Sequence, residues 1–179
     1  MSQMKSFLAV LVVVACLLCV GIPSVFAEDI GAEFVGKATP AFTIKDLDGN
    51  EIDINSYKDK NSVLINFWGL RCGSCIEEMP HLNAIHDKYK DKGLVIIGVN
   101  ADGVNGEFLN GPRGIKNLPE KLKYLLVQDP DMKLVDIFKM EAAPLNIMIN
   151  KKGIVTFYHM GYEEGDEKAL EDAVKVAIE

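Results

Sequence analysis

The sequence has few positive charges for its length and no basic run. Its 179 residues carry 19 Lys and Arg against 26 Asp and Glu, so the formal net charge is −7 at pH 7. A nucleic-acid-binding surface needs a basic patch that attracts phosphates, and we therefore do not expect nucleic acid among the partners. The chain also lacks internal repeats and low-complexity tracts. Its length predicts one domain with short appendages.

Cysteine is scarce as well. Four cysteines occur, and two of them, Cys16 and Cys19, lie in an N-terminal apolar stretch. The remaining pair, Cys72 and Cys75, is too small a number for a disulfide scaffold. A zinc site needs about four ligands, and no second CxxC, CxxH or HxxxH motif follows. A redox-active pair is therefore the favoured interpretation, with an inert structural disulfide as the alternative.

The N-terminal apolar run is shorter than an ordinary membrane span. It covers residues 7–22, fewer than the roughly 20 residues that a spanning helix usually needs. A lysine before it and small residues after it complete the pattern of a cleaved export signal, predicted at residues 1–27. Two alternatives stay open: the run is kept as a membrane anchor, or residues 13–15 act as a lipobox that leaves a lipid on Cys16. All three place the rest of the chain outside the cytoplasm.

The two cysteines of the CxxC motif lie where a strand is predicted to give way to a helix. Residues 62–65 are apolar and partly β-branched, which is typical of a buried strand. After Cys75, five residues share one side of a helical wheel: Met79, Leu82, Ile85, His86 and Tyr89. Unpartnered N–H groups in the first turn and the helix dipole favour a thiolate at Cys72. Cys75, one turn further along and predicted to be more buried, is then the resolving thiol of a thiol–disulfide exchange.

One motif resembles the active site of the thioredoxin superfamily: Asn66-Phe67-Trp68…Cys72-x-x-Cys75…Glu78-x-Pro80. It is most similar to the exported TlpA/ResA-like branch, whose members commonly carry N-F-W-x-x-W-C-x-x-C-x-x-E-x-P. The resemblance extends from about Gly36 to the C-terminus. Two departures flank the nucleophile: Arg71 replaces the usual Trp, and Gly73-Ser74 replaces pairs that contain proline. They leave the reaction class unchanged and bear on redox poise and on the choice of partner.

The resemblance implies an α/β thioredoxin fold, with a central mixed β-sheet flanked by helices and an N-terminal β-hairpin. The chain pattern predicts a linker or extended lead-in at residues 28–39, followed by a thioredoxin-like domain at residues 40–179. The residues themselves favour the hairpin, because Asp48-Gly49-Asn50 tolerates the positive φ of a tight turn between residues 42–44 and 51–54.

Hydrophobic patterns and turn residues predict the remaining elements. Strands are predicted at residues 63–67, 94–99, 124–127, 145–150 and 154–159. Helices are predicted at residues 72–90 with a kink at Pro80, at residues 129–138, and from Gly165 onward. Residues 101–123 contain too many glycines and prolines for a regular helix, so we expect a short or broken one with a surface loop at residues 110–116.

Further candidate site residues surround the cysteines in the predicted fold. Pro144 precedes a predicted strand and matches the cis-proline loop of the resembled fold, where the residue before it, Ala143, offers its backbone to a substrate. A trans proline that only starts the strand is the alternative. Glu78 lies about one turn after Cys75 and is a candidate proton acceptor, with a solvated helix residue as the alternative. Asn66 occupies the position of a buried acid in many thioredoxins, and an amide cannot shuttle a proton.

Three residues keep two interpretations each. Trp68 is a candidate substrate contact, with support of the active-site turn from within the core as the alternative. Arg71 either turns back to stabilise a thiolate on Cys72 or stays solvated. His159 is the histidine that a copper site at the two cysteines would recruit, whereas a position at a strand end without a ligand role is the alternative.

These observations predict an extracytoplasmic thiol–disulfide oxidoreductase whose electrons reside on Cys72 and Cys75, without an organic cofactor or a metal. The resemblance implies a reductant of protein disulfides that a membrane thiol transporter re-reduces, with apocytochrome c as a client. Two alternatives stay open, a DsbA-type oxidant and a copper-binding or delivery module that uses the same sulfurs. The lack of a large helical insertion disfavours the oxidant. The cysteine spacing lacks the lone peroxidatic cysteine of a peroxidase, so antioxidant activity is not expected.

Overall fold

The computed structural model describes residues 30–179, in which a seven-stranded sheet carries helices on both faces. The strands are β1 (Thr43–Asp46), β2 (Glu51–Asp53), β3 (Ser62–Trp68), β4 (Leu94–Asn100), β5 (Leu125–Gln128), β6 (Leu145–Ile149) and β7 (Val155–Met160). The α-helices of this range are α1 (Ile30–Phe34), α2 (Gly73–Tyr89), α3 (Gly106–Asn110), α4 (Lys133–Ile137) and α5 (Asp166–Ile178). Short 3-10 turns follow at Ile54–Tyr57, Lys90–Lys92 and Ile115–Asn117.

The strand order is β2-β1-β5-β4-β3-β6-β7. β3 pairs parallel with β4 and antiparallel with β6, and β4 pairs parallel with β5. Because parallel neighbours need a crossover, α2 links the end of β3 to the start of β4 across one face of the sheet. The mixed α/β sheet implied by the resemblance is thus confirmed. Each of the five strands predicted from hydrophobic patterns is observed to within one residue at either end.

β3 is apolar on both sides because helices cover both faces of the sheet. Every residue of the strand is buried. Alternate side chains, those of Val63, Ile65 and Phe67, enter a core that also contains Phe34 of α1 and Phe138 just after α4. The first face of the sheet is therefore closed by α1 and α4.

The opposite face carries α2 and α5. Leu64 of β3 lies in a second core with Leu82 of α2 and Leu170 of α5. Towards the end of β3, Trp68 joins a third cluster that includes Cys75 of α2. The end of the central strand thus packs directly beneath the start of α2.

Residues 30–39 are structured, in contrast to the linker predicted at residues 28–39. Ile30–Phe34 forms α1, and Ala38 forms an isolated bridge with Ile154. The Phe34 ring is only 8% exposed and stacks on Tyr158, with 5.4 Å between the ring centroids. Aromatic side chains bury large areas, roughly 150–250 Å² each. Phe34 therefore anchors this lead-in to the sheet, and the domain begins before residue 40.

β1 and β2 pair antiparallel, with Ile44 opposite Ile52. The Asp46 carboxylate accepts the N–H groups of Asp48 and Asn50 in the connecting turn, and Gly49 adopts a φ of 90°. β1 also pairs antiparallel with β5, which joins these two strands to the central sheet.

α2 is continuous through Pro80, although proline removes one N–H donor from the helix. Cys72 is the N-cap residue, so the helix proper starts one residue later than predicted. A 3-10 turn extends the helical region to Gly93, which adopts a left-handed φ of 90° and ends it as expected.

The glycine- and proline-rich segment at residues 101–123 contains only a short helix, α3, and a 3-10 turn at Ile115–Asn117. The expectation of a broken helix is confirmed. After α3 the chain folds back so closely that a Cβ atom at Gly114 would collide with the carbonyl oxygen of Leu109. Glycine at this position therefore permits the loop.

The helix predicted at residues 129–138 is shorter in the structure, where α4 begins at Lys133. The Asp129 carboxylate is buried and accepts the backbone N–H groups of Lys133, Leu134 and Val135. These are donors of the first turn that have no partner within the helix. Residues 129–132 therefore cap α4 and do not belong to it.

The signal predicted at residues 1–27 lies outside the described residues. From Ile30 to the C-terminus, no helix combines the length and the apolar character that crossing a bilayer requires.

Phe34→Ala tests whether α1 belongs to the domain. We expect the free energy of unfolding to fall by about 3 kcal/mol, because a buried ring leaves a cavity in the core. Urea denaturation measures the change. Val35 is 44% exposed and provides the matched control, since Val35→Ala should change the same quantity by less than about 0.5 kcal/mol. Equally small effects of both substitutions would mean that this segment behaves as a linker.

Candidate active site

Cys72 and Cys75 form a disulfide at the start of α2, with their Cα atoms 5.2 Å apart. Cys72 is partly exposed, whereas Cys75 is 1% exposed and packs against Trp68 and Met79. An external molecule can therefore reach the sulfur of Cys72 and not that of Cys75. This accessibility agrees with the order of the two thiols predicted from the sequence.

The backbone at the start of α2 points at the outer sulfur. The N–H of Cys75 donates to Sγ of Cys72 across 3.2 Å, and the hydroxyl oxygen of Ser74 lies 3.6 Å from the same sulfur. In the reduced protein these groups would stabilise a thiolate on Cys72, together with the positive end of the helix dipole. The helix start thus favours the ionised form of the sulfur that a substrate can reach.

Glu78 is buried, which rules out the alternative of a solvated helix residue. Its side chain is held by two asparagines: Nδ2 of Asn66 donates to Oε2 across 3.0 Å, and Nδ2 of Asn146 donates to Oε1 across 2.5 Å. Nδ2 of Asn66 also donates to Oδ1 of Asn146 across 3.0 Å. The three side chains form a closed polar cluster in an otherwise apolar interior, which we call the Glu78 cluster.

Strand register and the crossover helix bring the Glu78 cluster together. Asn66 of β3 lies directly opposite Asn146 of β6, so both side chains project from the same face of the sheet. α2 covers that face, and Glu78 lies one helical turn after Cys75. Asn146 was not identified from the sequence. The signal that could have found it is a single asparagine in each of two apolar strands.

Burial raises the pKa of Glu78 to about 7, from the usual value of 4.5. The hydrogen bonds from Asn146 and Asn66 act in the opposite direction, because they stabilise the charged form, and the nearby charge of Asp166 adds to the increase. The carboxyl group therefore changes its protonation near neutral pH. A group of this pKa suits proton exchange with a neighbouring thiol.

The peptide bond between Ala143 and Pro144 is cis, as predicted. The loop leads into β6, which pairs with β3, and Ala143 packs against the cluster that contains Cys75. Within residues 30–179, no hydrogen bond joins the backbone of Ala143 to another residue. Its N–H and C=O groups are therefore unpaired beside the disulfide.

Asp102 ties the turn before Cys72 to the end of β4. Its Oδ2 accepts the N–H of Leu70 across 2.8 Å and the side-chain amide of Asn100 across 2.7 Å. A Cβ atom at Gly69 would lie only 3.1 Å from Oδ1 of Asp102, so glycine leaves room for the carboxylate. Asp102 is a site residue that was not predicted from the sequence, although its place just after an apolar strand was an available signal.

Known proteins share this arrangement of sequence and fold. Residues 34–174 match the Redoxin family. The thiol-disulfide oxidoreductase ResA of Bacillus anthracis is 32% identical over 143 residues, which cover 79% of this chain and 77% of the relative. ResA of Halalkalibacterium halodurans is 30% identical over 164 residues, 90% of each chain. A solved structure of the thiol:disulfide interchange protein DsbE from Chlorobium tepidum matches in fold, with a TM-score of 0.72 at 24% identity over 81% of this chain and 98% of that one.

The chain belongs to the Redoxin family. It is a ResA-like thiol–disulfide oxidoreductase with a thioredoxin-like fold, and its CxxC pair is Cys72 and Cys75. The enzyme class and the superfamily predicted from the motif are therefore confirmed.

Two residues of this Redoxin-family protein, Trp68 and Arg71, each had two sequence-based interpretations. Trp68 is 1% exposed, which favours support of the active-site turn from within the core over contact with a substrate. Its position at the end of β3 faces α2, where Cys75 and Met79 cover the ring, and it supports the active-site turn from below. Arg71 is exposed, and among the described residues no carboxylate forms an ion pair with it.

The histidine considered for a copper site has another partner. Nε2 of His159 lies 3.2 Å from Oδ2 of Asp166, and His159 sits on β7 opposite Asn146. In the part of the chain that the structure describes, no group of three or more His, Cys, Asp or Glu side chains is arranged to hold a metal ion. The ring of His159 thus contacts a carboxylate.

Glu78→Gln tests the protonation of the buried carboxyl group. The folded state binds its proton more tightly than the unfolded state, because the pKa is about 7 in the fold and 4.5 in its ordinary environment. The stabilisation by Glu78 is therefore complete below pH 4.5 and is lost as the pH rises through 7. Across this range the oxidised wild-type protein should lose about 3 kcal/mol more unfolding free energy than Glu78→Gln, measured by urea denaturation at each pH.

Glu77→Gln is the matched control, since Glu77 is the exposed neighbour of Glu78 on the same helix. This variant should reproduce the pH dependence of the wild-type protein. If Glu78→Gln also reproduces it, the carboxyl group of Glu78 does not titrate between these pH values.

Proposed function

We propose that this oxidoreductase reduces disulfides of exported polypeptides outside the cytoplasm. The observation that supports this role most directly is the pairing of a reachable sulfur on Cys72 with a buried one on Cys75. The export signal predicted at residues 1–27 supports the location, whether it is cleaved, kept as an anchor or replaced by a lipid on Cys16. The similarity to the TlpA/ResA-like branch supports reduction as the direction of electron flow.

The exchange takes place in two steps on the reduced protein. The thiolate of Cys72 attacks a client disulfide, so the client S–S bond breaks and a bond between Cys72 and the client forms, while the second client sulfur leaves and takes a proton. Cys75 then loses its proton and attacks Sγ of Cys72, which forms the Cys72–Cys75 disulfide and releases the client as a dithiol. Two electrons and two protons pass to the client. The electrons come from the two sulfurs, and we propose that no organic cofactor is required.

Glu78 is the proposed proton acceptor for Cys75. Burial of Cys75 keeps bulk water away from its thiol, and Glu78 lies one helical turn further along α2. A pKa of about 7 allows the carboxylate to take a proton and to return it at neutral pH. Once protonated, Glu78 no longer opposes the negative charge on the attacking sulfur.

Ala143 and Pro144 form the proposed binding site for the client backbone. The unpaired N–H and C=O groups of Ala143 support pairing with an extended peptide beside the disulfide. Because the side chain of Ala143 is a methyl group, this contact selects for an extended backbone and not for a particular side chain.

Each turnover leaves the protein oxidised, so it needs a thiol donor. We propose a membrane thiol transporter as that donor and apocytochrome c as a client, as the similarity to the TlpA/ResA-like branch implies. The cysteines of apocytochrome c must be reduced before haem attachment, which is the chemistry that this exchange provides.

Cys75→Ser tests the assignment of the two thiols. This variant should accumulate a mixed disulfide between Cys72 and an oxidised peptide, because the second step is lost, and it should not turn over. Cys72→Ser should accumulate none. Mass spectrometry after incubation of each reduced variant with the peptide measures the adduct. Equal trapping by both variants would contradict the assigned roles.

The reduction potential of the Cys72–Cys75 pair tests the direction of electron flow. A reductant is expected to equilibrate with glutathione at a potential below about −230 mV, whereas an oxidant of the DsbA type lies near roughly −120 mV. Equilibration in glutathione buffers, with thiol trapping and mass spectrometry, gives the value. A potential close to that of the oxidant would contradict the proposed reduction of clients.

A further inference from the structure

Both arginines of the chain line one groove beside the active site. Arg71 and Arg113 are the only arginines in the sequence, and every other Lys or Arg position is lysine. Arg71 lies in the turn before Cys72, and Arg113 lies in the loop after α3. A protein with a net charge of −7 thus places both of its guanidinium groups in the same groove.

The groove is lined by residues that precede and follow Cys72 in the sequence. Arg71 directly precedes Cys72, and Ile76, also in the lining, donates its backbone N–H to the carbonyl oxygen of Cys72. The groove has a volume of about 500 Å³. Its walls are mainly apolar and are formed by Leu70, Ile76, Val104, Phe108 and Leu118.

The ring of Phe108 positions the side chain of Arg113. Its guanidinium carbon lies 5.4 Å from the ring centroid of Phe108, within the range of a cation–π contact. Within residues 30–179, neither arginine forms an ion pair. The N–H donors of Arg113 therefore have no carboxylate partner.

Asp102 is the one carboxylate in the lining, and it is already engaged. Its Oδ2 accepts the N–H of Leu70 and the side-chain amide of Asn100. Neither arginine forms an ion pair with Asp102, and the lining carries two guanidinium charges against this one carboxylate.

We propose that this groove binds an acidic and partly apolar client segment next to the cysteine that undergoes exchange. The proposal rests on the proposed function and names the class of client. A guanidinium group presents a planar fork of N–H donors that matches the two oxygens of a carboxylate, which a lysine ammonium does not. An acidic side chain between Arg71 and Arg113, with an apolar neighbour against Phe108, holds the client disulfide at Cys72.

The test compares two disulfide-bonded peptides that differ at one position beside the cysteine, where one carries Glu and the other Gln, each followed by Leu. The reduced wild-type protein should reduce the Glu peptide about fivefold faster at low salt, and the preference should disappear in high salt. Stopped-flow fluorescence of the single tryptophan, Trp68, follows the reaction. Equal rates for the two peptides would overturn the proposal.

Arg113→Gln tests whether the preference for the Glu peptide arises in the groove. The ratio of the two rate constants should fall towards one in this variant, and Arg113→Lys should restore only part of it, because the ammonium group keeps the charge and loses the fork. Lys116→Gln is the matched control, since Lys116 is exposed in the same segment but does not line the groove. Its ratio should equal that of the wild-type protein.

The outcomes separate this proposal from the proposed function. A ratio that Arg113→Gln leaves unchanged, or that Lys116→Gln lowers equally, would overturn the groove as the binding site while thiol–disulfide exchange still proceeds. Failure of the wild-type protein to reduce either peptide would instead contradict the proposed function. The salt dependence of the wild-type preference needs no variant and applies even if a substitution impairs folding.

Discussion

A carboxyl group buried beneath the active-site helix sets the strictest condition on this fold. Within residues 30–179, Glu78 has no cationic partner, and a buried carboxylate without one is destabilising by several kcal/mol. Its hydrogen bonds come from Asn66 and Asn146, which face each other across β3 and β6. A slip of one residue in that register would turn one amide to the opposite face of the sheet. The buried carboxyl group therefore depends on the central strand pairing.

The two sulfurs of the exchange reaction lie in different surroundings. At the start of α2, the N–H of Cys75 donates to the outer sulfur, that of Cys72, and the positive end of the helix dipole favours its negative charge. The inner sulfur, that of Cys75, lies in an apolar cluster, where a negative charge is unfavourable. Glu78, with its raised pKa, lies one turn from Cys75. The reachable sulfur thus lies at the N-terminus of α2, and the buried carboxyl group lies further along the same helix.

The irregular segment at residues 101–123 shapes the surface next to this chemistry. Its glycines and prolines prevent a long helix, and the chain folds back after α3 at Gly114. As a result, Asp102 reaches the turn before Cys72, and Arg113 reaches the groove that Arg71 also lines. The glycines and prolines that interrupt regular structure in this segment thus place Asp102 and Arg113 near Cys72.

Features that depend on local chemistry could be predicted from the residues alone. Apolar runs located the five core strands to within one residue, and the strand-to-helix junction placed Cys72 outside Cys75, whereas the cis bond at Pro144 was predicted from the family resemblance. The contacts between distant residues could not be predicted in this way. Asn146 joins Glu78 through strand register, Phe34 extends the domain into the predicted linker, and α2 covers Trp68. The physical reason is that hydrophobic spacing records which face of an element is buried, whereas the partner on that face depends on strand order and register.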